Sequence, residues 1–347
     1  MKTHMEQEIE AQTSILENLI SKYIVNYCIL VNFPCKYKRI KFVASGSSYH
    51  AAKVAEKFFY DIAGVEANSA YSSEFVAIKD IKIDPEMLYF FVSQSGETTD
   101  TVTALNMVKK AGGATFALTN CETSRMNNEA DYAMTIEAGK ENSIAATKSL
   151  SATLFAMWLC ALKLAQSKSI DISEYIENIE NLPSALDDLI KNRKQIEVAA
   201  GFISKHKSFP IVGYNYFSAL AIEGALKIKE TSYCDANAYP VGEFLHGHTA
   251  ILNEQNCIVE IFTDEMNALE KKAIEKIKAD YNPKVLAITD MKNYTEADCT
   301  IVFPKYAQSV FKYFSVLVIL QLLAFENAKK LKRNVDCPRG LSKVVQV

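Results

Sequence analysis

Several stretches of this sequence carry residue types and spacings that could do chemistry. Glu223, Lys227 and Glu230 are separated by four and three residues, so on a helix they share one face. Such a stripe is either a solvated row of ion pairs or an acid/base carboxylate held beside a lysine that tunes it. Shortly after it comes Gly242-Glu243-Phe244-Leu245-His246-Gly247-His248, where His246 is a surface histidine or a proton shuttle near neutral pH. Ser45-Gly46-Ser47-Ser48 and Ser93-Gln94-Ser95-Gly96-Glu97-Thr98-Thr99 concentrate neutral hydrogen-bond donors. The tail Asp336-Cys337-Pro338-Arg339-Gly340-Leu341-Ser342-Lys343 ends in a lysine that composition alone reads as solvated.

Each hydroxyl-rich stretch follows an apolar run of strand length, Ile40–Ala44 and Met87–Val92, and precedes a helical stretch, Tyr49–Ala63 and Asp100–Ala111. A helix that starts after such a turn presents unpaired N–H groups and the positive end of its dipole. Serine and threonine add neutral donors, and glycine lets the backbone come close. Together these features suit a phosphate monoester on a small ligand. The competing reading is that the hydroxyls merely cap the helices. Neither turn has the spacing of a P-loop or a dinucleotide fingerprint, so a nucleotide is not indicated.

The same rhythm continues through strands Thr115–Leu118, Ala133–Ile136, Pro210–Val212, Cys257–Phe262, Val285–Ile288 and Thr300–Phe303. Helical stretches Tyr216–Tyr233 and Asn267–Ala279 fall among them. Short apolar strands alternating with helices predict an α/β fold with parallel sheets covered on both faces. Ligands bind such sheets at the carboxyl ends of the strands. The pattern also repeats. Val43–Phe75 lies over Val212–Phe244 without gaps, an offset of 169 residues that aligns Ala67-Asn68 with Ala236-Asn237 and Glu74-Phe75 with Glu243-Phe244. Each half ends in a long apolar helix, near Lys148–Ala165 and near Gln308–Lys330. The expected organisation is one duplicated domain, residues 1–185 with a leading helix and residues 186–347 with the tail, parted near Asn181-Leu182-Pro183.

The composition excludes other classes. A chain of 347 residues, 49% apolar, with only 12 Gly and 8 Pro, is neither disordered nor low-complexity. A net charge of −3 supplies no basic field for nucleic acid. The 8 cysteines form no C-x-x-C pair and read as reduced, mostly buried residues. His246 and His248 lack a carboxylate or thiol at zinc-site spacing, so no metal site and no cofactor are expected. The N-terminus MKTHMEQEIEAQ is too charged for a secretory segment. The uncharged runs Ser149–Leu162 and Tyr313–Phe325 are shorter than the roughly 20 residues of a span, so no membrane is expected and the location is read as cytoplasmic.

Four ordered motifs carry a resemblance: Ser93-Gln94-Ser95-Gly96-Glu97-Thr98, Glu223-Gly224-Ala225-Leu226-Lys227-Ile228-Lys229-Glu230, Gly242-Glu243 with His246-Gly247, and Asp336-Cys337-Pro338-Arg339 with Leu341 and Lys343. The sequence resembles, along essentially its whole length, the isomerase half of the glucosamine-6-phosphate synthases (glutamine–fructose-6-phosphate aminotransferases), built from two sugar isomerase domains. His4-Met5-Glu6-Gln7-Glu8-Ile9 resembles the segment that opens that half. The resemblance implies that Ser47, Ser48, Ser93, Gln94, Ser95 and Thr98 bind the sugar phosphate, with Ala145 and Glu223 completing the substrate set. It implies that Glu230 is the base between C1 and C2, that Lys227 assists beside it, and that Lys343 forms a Schiff base with a ketose. His246 would promote ring opening, reaching the site of a neighbouring subunit in a homodimer.

Two positions depart from the family. Ser45 stands where the synthases usually have Cys, and Ala146 where they usually have Ser, which removes a hydroxyl near the substrate. No glutaminase segment with an N-terminal Cys nucleophile precedes the isomerase motifs, so glutamine is not the expected nitrogen donor, and whether a separate subunit delivers ammonia stays open. The expectation is a stand-alone phosphosugar isomerase/deaminase that interconverts glucosamine 6-phosphate with fructose 6-phosphate and ammonia. A fructosamine 6-phosphate deglycase is the alternative enzyme. A non-catalytic sugar-phosphate sensor is the alternative from another class, but residues 1–21 hold no helix-turn-helix.

Overall fold

The computed structural model describes residues 2–308 and 310–343. The chain divides into two compact units. The N-terminal unit comprises Ala11–Asn142, Ala146–Pro183 and the tail from Ser342; the C-terminal unit comprises Met1–Glu10, Ser143–Ala145 and Ser184–Leu341.

The sheet of the N-terminal unit has five strands: β1 (Arg39–Ala44), β2 (Glu66–Tyr71), β3 (Met87–Val92), β4 (Ala114–Thr119) and β5 (Tyr132–Thr135). All pair in parallel, in the order β2-β1-β3-β4-β5. Parallel strands need helical crossovers, which cover both faces and bury the strands throughout. The residues show it. Phe42, Phe90 and Phe116 stand in register on one face, with ring centroids 5.0 and 4.6 Å apart along the row. Phe59, from helix α1 (Gly46–Ala63), meets Phe42 there edge-on. Val43, Phe91 and Ala117 point the other way and pack with Val102, Leu105 and Val108 of α2 (Thr99–Lys110). Helix α3 (Lys148–Ser167) packs on α1.

The C-terminal unit repeats this plan with β6 (Ser208–Gly213), β7 (Asp235–Pro240), β8 (Cys257–Ile261), β9 (Lys284–Thr289) and β10 (Cys299–Val302), ordered β7-β6-β8-β9-β10 and all parallel. Its helices include α4 (Phe217–Ser232), α5 (Ala268–Tyr281) and α6 (Phe311–Lys330). Asn267 and Glu270 close a reciprocal capping box at the start of α5. The fold is thus two α/β units, each a five-stranded parallel sheet flanked by helices, as the strand rhythm predicts.

Three details differ from the sequence reading. The edge strands β2 and β7 were not among the expected strands; their sequences, EANSAY and DANAYP, lack an apolar run. All 8 cysteines are free thiols, but only Cys160, Cys234 and Cys257 are buried. Cys28, Cys121 and Cys337 lie in a surface hairpin, a turn and the tail, where nothing covers them. Helices α3 and α6 are long and apolar enough to cross a membrane by composition, and both are buried in the protein.

Candidate active site

In a parallel sheet of this order, the crevice opens where the direction of strand succession reverses, between β1 and β3. The two hydroxyl-rich turns leave the carboxyl ends of those two strands. Ala44 and Val92 are register partners, so the turns stand side by side. Ser45 Oγ donates to Asp100 Oδ2 at 2.9 Å and ties one turn to the other. In the second turn Ser93 Oγ lies 2.9 Å from Thr98 Oγ1 and 3.5 Å from Ser95 Oγ, and accepts from the Gly96 N–H at 3.2 Å. Gly96 has φ +67°, and a Cβ there would lie 2.3 Å from Ser124 Oγ, so only glycine closes this turn.

The capping alternative does not describe these turns. Ser45 and Thr98 occupy the N-cap positions of α1 and α2, yet neither side chain makes the capping bond. Ser47 and Ser48 fall in the first turn of α1, half-buried, as are Gln94, Ser95 and Thr98. The crevice therefore presents neutral donors and two helix N-termini whose side-chain caps are missing.

The equivalent switch point of the C-terminal unit lies between β6 and β8. Its loop carries Thr263, Asp264 and Glu265 where the other unit has serines. Lys312 pairs there with Glu265 at 2.8 Å and with the buried Asp290 at 3.4 Å, and Lys305 with Asp264. The duplication is structural, and the hydroxyl crevice belongs to one copy.

The carboxylate stripe on α4 forms as its spacing predicts, but it is not a solvated face. Lys227 is 1% exposed, with Nζ 2.5 Å from Glu230 and 3.3 Å from Glu223. Glu223 is also 1% exposed, whereas Glu230 keeps 19%. Burial works against the Lys227 charge, but the Glu223 and Glu230 carboxylates outweigh it and hold the ammonium above its ordinary range. The row is thus a fixed cation between two carboxylates, one sealed and one open. Its depth is set by Gly224, where a Cβ would lie 2.7 Å from Leu320 of α6.

His246 is exposed, in the turn after the short helix Val241–Phe244. Its backbone N–H donates to the Glu243 carbonyl at 2.9 Å. Ala145 is fully buried, and its carbonyl accepts from Ser143 Oγ at 3.3 Å. Lys343 is not solvated as composition suggested: Nζ donates to Glu141 Oε2 at 2.6 Å, and the side chain is 25% exposed. Glu141, 0% exposed, is a residue that sequence reasoning missed. It lies in the charged stretch Gly139-Lys140-Glu141-Asn142, where no local pattern signals burial. Burial opposes its ionisation, but Lys343, Ser149 and Thr147 outweigh that effect and hold the carboxyl below its ordinary range.

The chain is 32% identical over 310 residues to a glutamine–fructose-6-phosphate aminotransferase of Campylobacter jejuni, an alignment covering 89% of this chain and 51% of the relative. The chain spans about half the length of the curated relatives it matches, and the homology is to their isomerase domain. Among solved structures, the C-terminal domain of the glucosamine-fructose-6-phosphate aminotransferase from Francisella tularensis superposes with a TM-score of 0.89 at 28% identity, covering 97% of this chain and 99% of that one. Glucosamine-6-phosphate deaminase from Thermotoga maritima shares the fold, with a TM-score of 0.78 at 23% identity over 99% of both chains. The SIS domain model matches residues 35–163 and again 202–326. The chain belongs to the SIS domain family and carries two copies of that domain.

Proposed function

We propose that this chain interconverts glucosamine 6-phosphate with fructose 6-phosphate and ammonia. One observation carries the reading: Lys227 is a buried cation between a sealed carboxylate, Glu223, and an open one, Glu230. Glu230, the more exposed of the two carboxylates, is the group we read as meeting the ligand. In the open-chain amino sugar, Glu230 removes the C2 proton as O1 takes up a proton, giving an enolamine, and returns it to C1 as the amine nitrogen gives one up, leaving an imine at C2. Lys343 serves the same carbon through a Schiff base: it displaces ammonia from the imine and is itself released by water. The hydroxyls of Ser47, Ser48, Ser93, Ser95 and Thr98, with Gln94, hold the phosphate. His246 of the partner subunit opens the ring in a cytoplasmic homodimer.

The test is ammonia release from glucosamine 6-phosphate by the purified protein, beside Glu230→Gln. The expected result is release by the wild type and a loss of about a thousandfold in the variant, the usual range for a general base. No release by folded wild-type protein overturns the reading. Fructosamine 6-phosphate belongs in the same assay, because Ala146 carries no hydroxyl where the family's usual serine would. Amine release from that substrate alone makes the enzyme a deglycase.

A further inference from the structure

The tail lysine is held by a carboxylate that has a second task in the same unit. Glu141 lies between β5 and α3, wholly buried. Its Oε1 accepts from the N–H of Thr147 at 3.0 Å and of Ser149 at 3.1 Å. Its Oε2 accepts from Ser149 Oγ at 2.6 Å and from Lys343 Nζ at 2.6 Å. Thr147 is the N-cap residue of α3 and makes no side-chain cap bond of its own. Glu141 therefore caps that helix from a distance, with its negative charge at the positive end of the dipole. A buried carboxylate also needs a cation to offset its lost hydration, and Lys343 provides one.

We infer that Glu141 is the positioning residue for Lys343: it docks the tail through the buried ion pair and holds the amine in place for condensation with the substrate carbonyl. This rests on the reading of Lys343 as a Schiff-base lysine. The chemistry suits a fixed carboxylate. An ammonium and a ketone condense to a protonated imine and water. Two N–H bonds and the carbonyl C=O bond break, a C=N bond forms, and both protons leave on the oxygen as water. The nitrogen carries one positive charge before and after, so a single carboxylate matches both ends of the step and no outside acid or base enters the balance. Because the same carboxylate is bound by α3, the amine is referenced to a helix rather than to a free tail.

The experiment follows borohydride trapping of fructose 6-phosphate on the tail peptide by mass, in the wild type and in Glu141→Gln. Glucitol 6-phosphate, which has no carbonyl, reports fold and phosphate binding independently. The expected result is adduct formation about tenfold slower in Glu141→Gln, from loss of a charge-assisted bond, with the Kd for glucitol 6-phosphate unchanged within about twofold. A merely structural role would weaken both. Equal adduct rates overturn the role of Glu141 and leave the Schiff base standing. No adduct in the wild type overturns the Schiff base and this role with it. If Glu141→Gln loses the glucitol 6-phosphate signal, Ser149→Ala carries the test, because it removes the other donor to Oε2 and keeps the ion pair. A rate about threefold lower is then expected, for a neutral bond of ordinary strength, and an unchanged rate overturns the inference.

Discussion

Lys227 Nζ sits 2.5 Å from Glu230 and 3.3 Å from Glu223, one helical turn away on either side, inside a helix that leaves it 1% exposed. The ammonium has no water to turn to, so its two carboxylates fix it and it fixes them. The pair with Glu223 is the structural half of the row, and the pair with Glu230 is the half that faces outward.

Replacing the cation tests that division. Lys227→Met keeps the volume and removes the cation that the buried Glu223 meets at 3.3 Å, a cost of about 3–5 kcal/mol. Denaturant unfolding is expected to show that loss, together with a strong loss of turnover. Adding Glu223→Gln removes the carboxylate that Lys227 offset and is expected to restore part of the stability without the activity. If the double variant regains full turnover, Lys227 has no part in the chemistry.

The hydroxyl crevice makes a second prediction. Ser93→Ala and Ser95→Ala each remove one neutral donor, worth about 1 kcal/mol. Calorimetric titration with glucitol 6-phosphate is expected to show Kd rising several-fold in each, while kcat at saturation changes less than KM. A fall in kcat at unchanged KM would mean that these serines do not hold the phosphate.

Gly224 sets how closely α4 approaches α6. Alanine would gain about 1 kcal/mol in helix propensity. Its Cβ would meet Leu320 Cδ2 at 2.7 Å, and overpacking of that kind costs about 1–3 kcal/mol. The close contact is expected to win, so Gly224→Ala lowers stability and displaces the neighbouring Glu223. Leu320→Ala in the same chain makes room and is expected to return part of the lost turnover, read from kcat.

Glu260 gives a pH prediction. It lies on β8 between Val212 and Ala287, the position that Phe91 holds between Val43 and Ala117 in the other copy. It is 2% exposed, and its Oε2 has no hydrogen-bond partner among the described residues. Burial pushes its carboxyl up to about 8, with Lys278 drawing it down and Glu296 adding to the rise. An unfolded glutamate titrates near ~4.3. Between those values the folded state keeps a proton that the unfolded state has released. Stability from this group is therefore complete below the lower value and falls by up to about 1.4 kcal/mol per pH unit as pH rises toward the upper one. Urea unfolding at pH 5, 7 and 9 is expected to show that slope in the wild type and a flatter profile in Glu260→Gln. Identical profiles would show that the carboxyl is solvated or paired.

The sequence was most legible where burial is continuous. Met87–Val92 reads as a strand because six apolar residues stand between Glu86 and Ser93, and the structure places the strand on those residues. The Glu223, Lys227 and Glu230 row was legible from spacing, but its burial was not, because that depends on how near α6 comes. Two of the four edge strands in the five-stranded sheets escaped notice, since β2 and β7 are covered less and need no apolar run. Glu141 escaped for another reason: a carboxylate in a polar loop gives no local sign of the helix terminus and tail lysine that it will bind. Glu260 did leave a sign, an acid inside CIVEI, which in a strand buried on both faces can only point into the core.

Helices α3 and α6 each hold twenty residues of membrane-like hydropathy that the finished protein keeps out of sight. In the folded chain α1 packs on α3 and α4 packs on α6, and each pair of helices must be carried together by its own unit. Parallel pairing closes long loops and is slow, so these segments spend that interval exposed to other chains and to lipid. The hazard for this protein lies in its first moments, and substitutions that slow sheet assembly should lower yield even where the folded protein tolerates them.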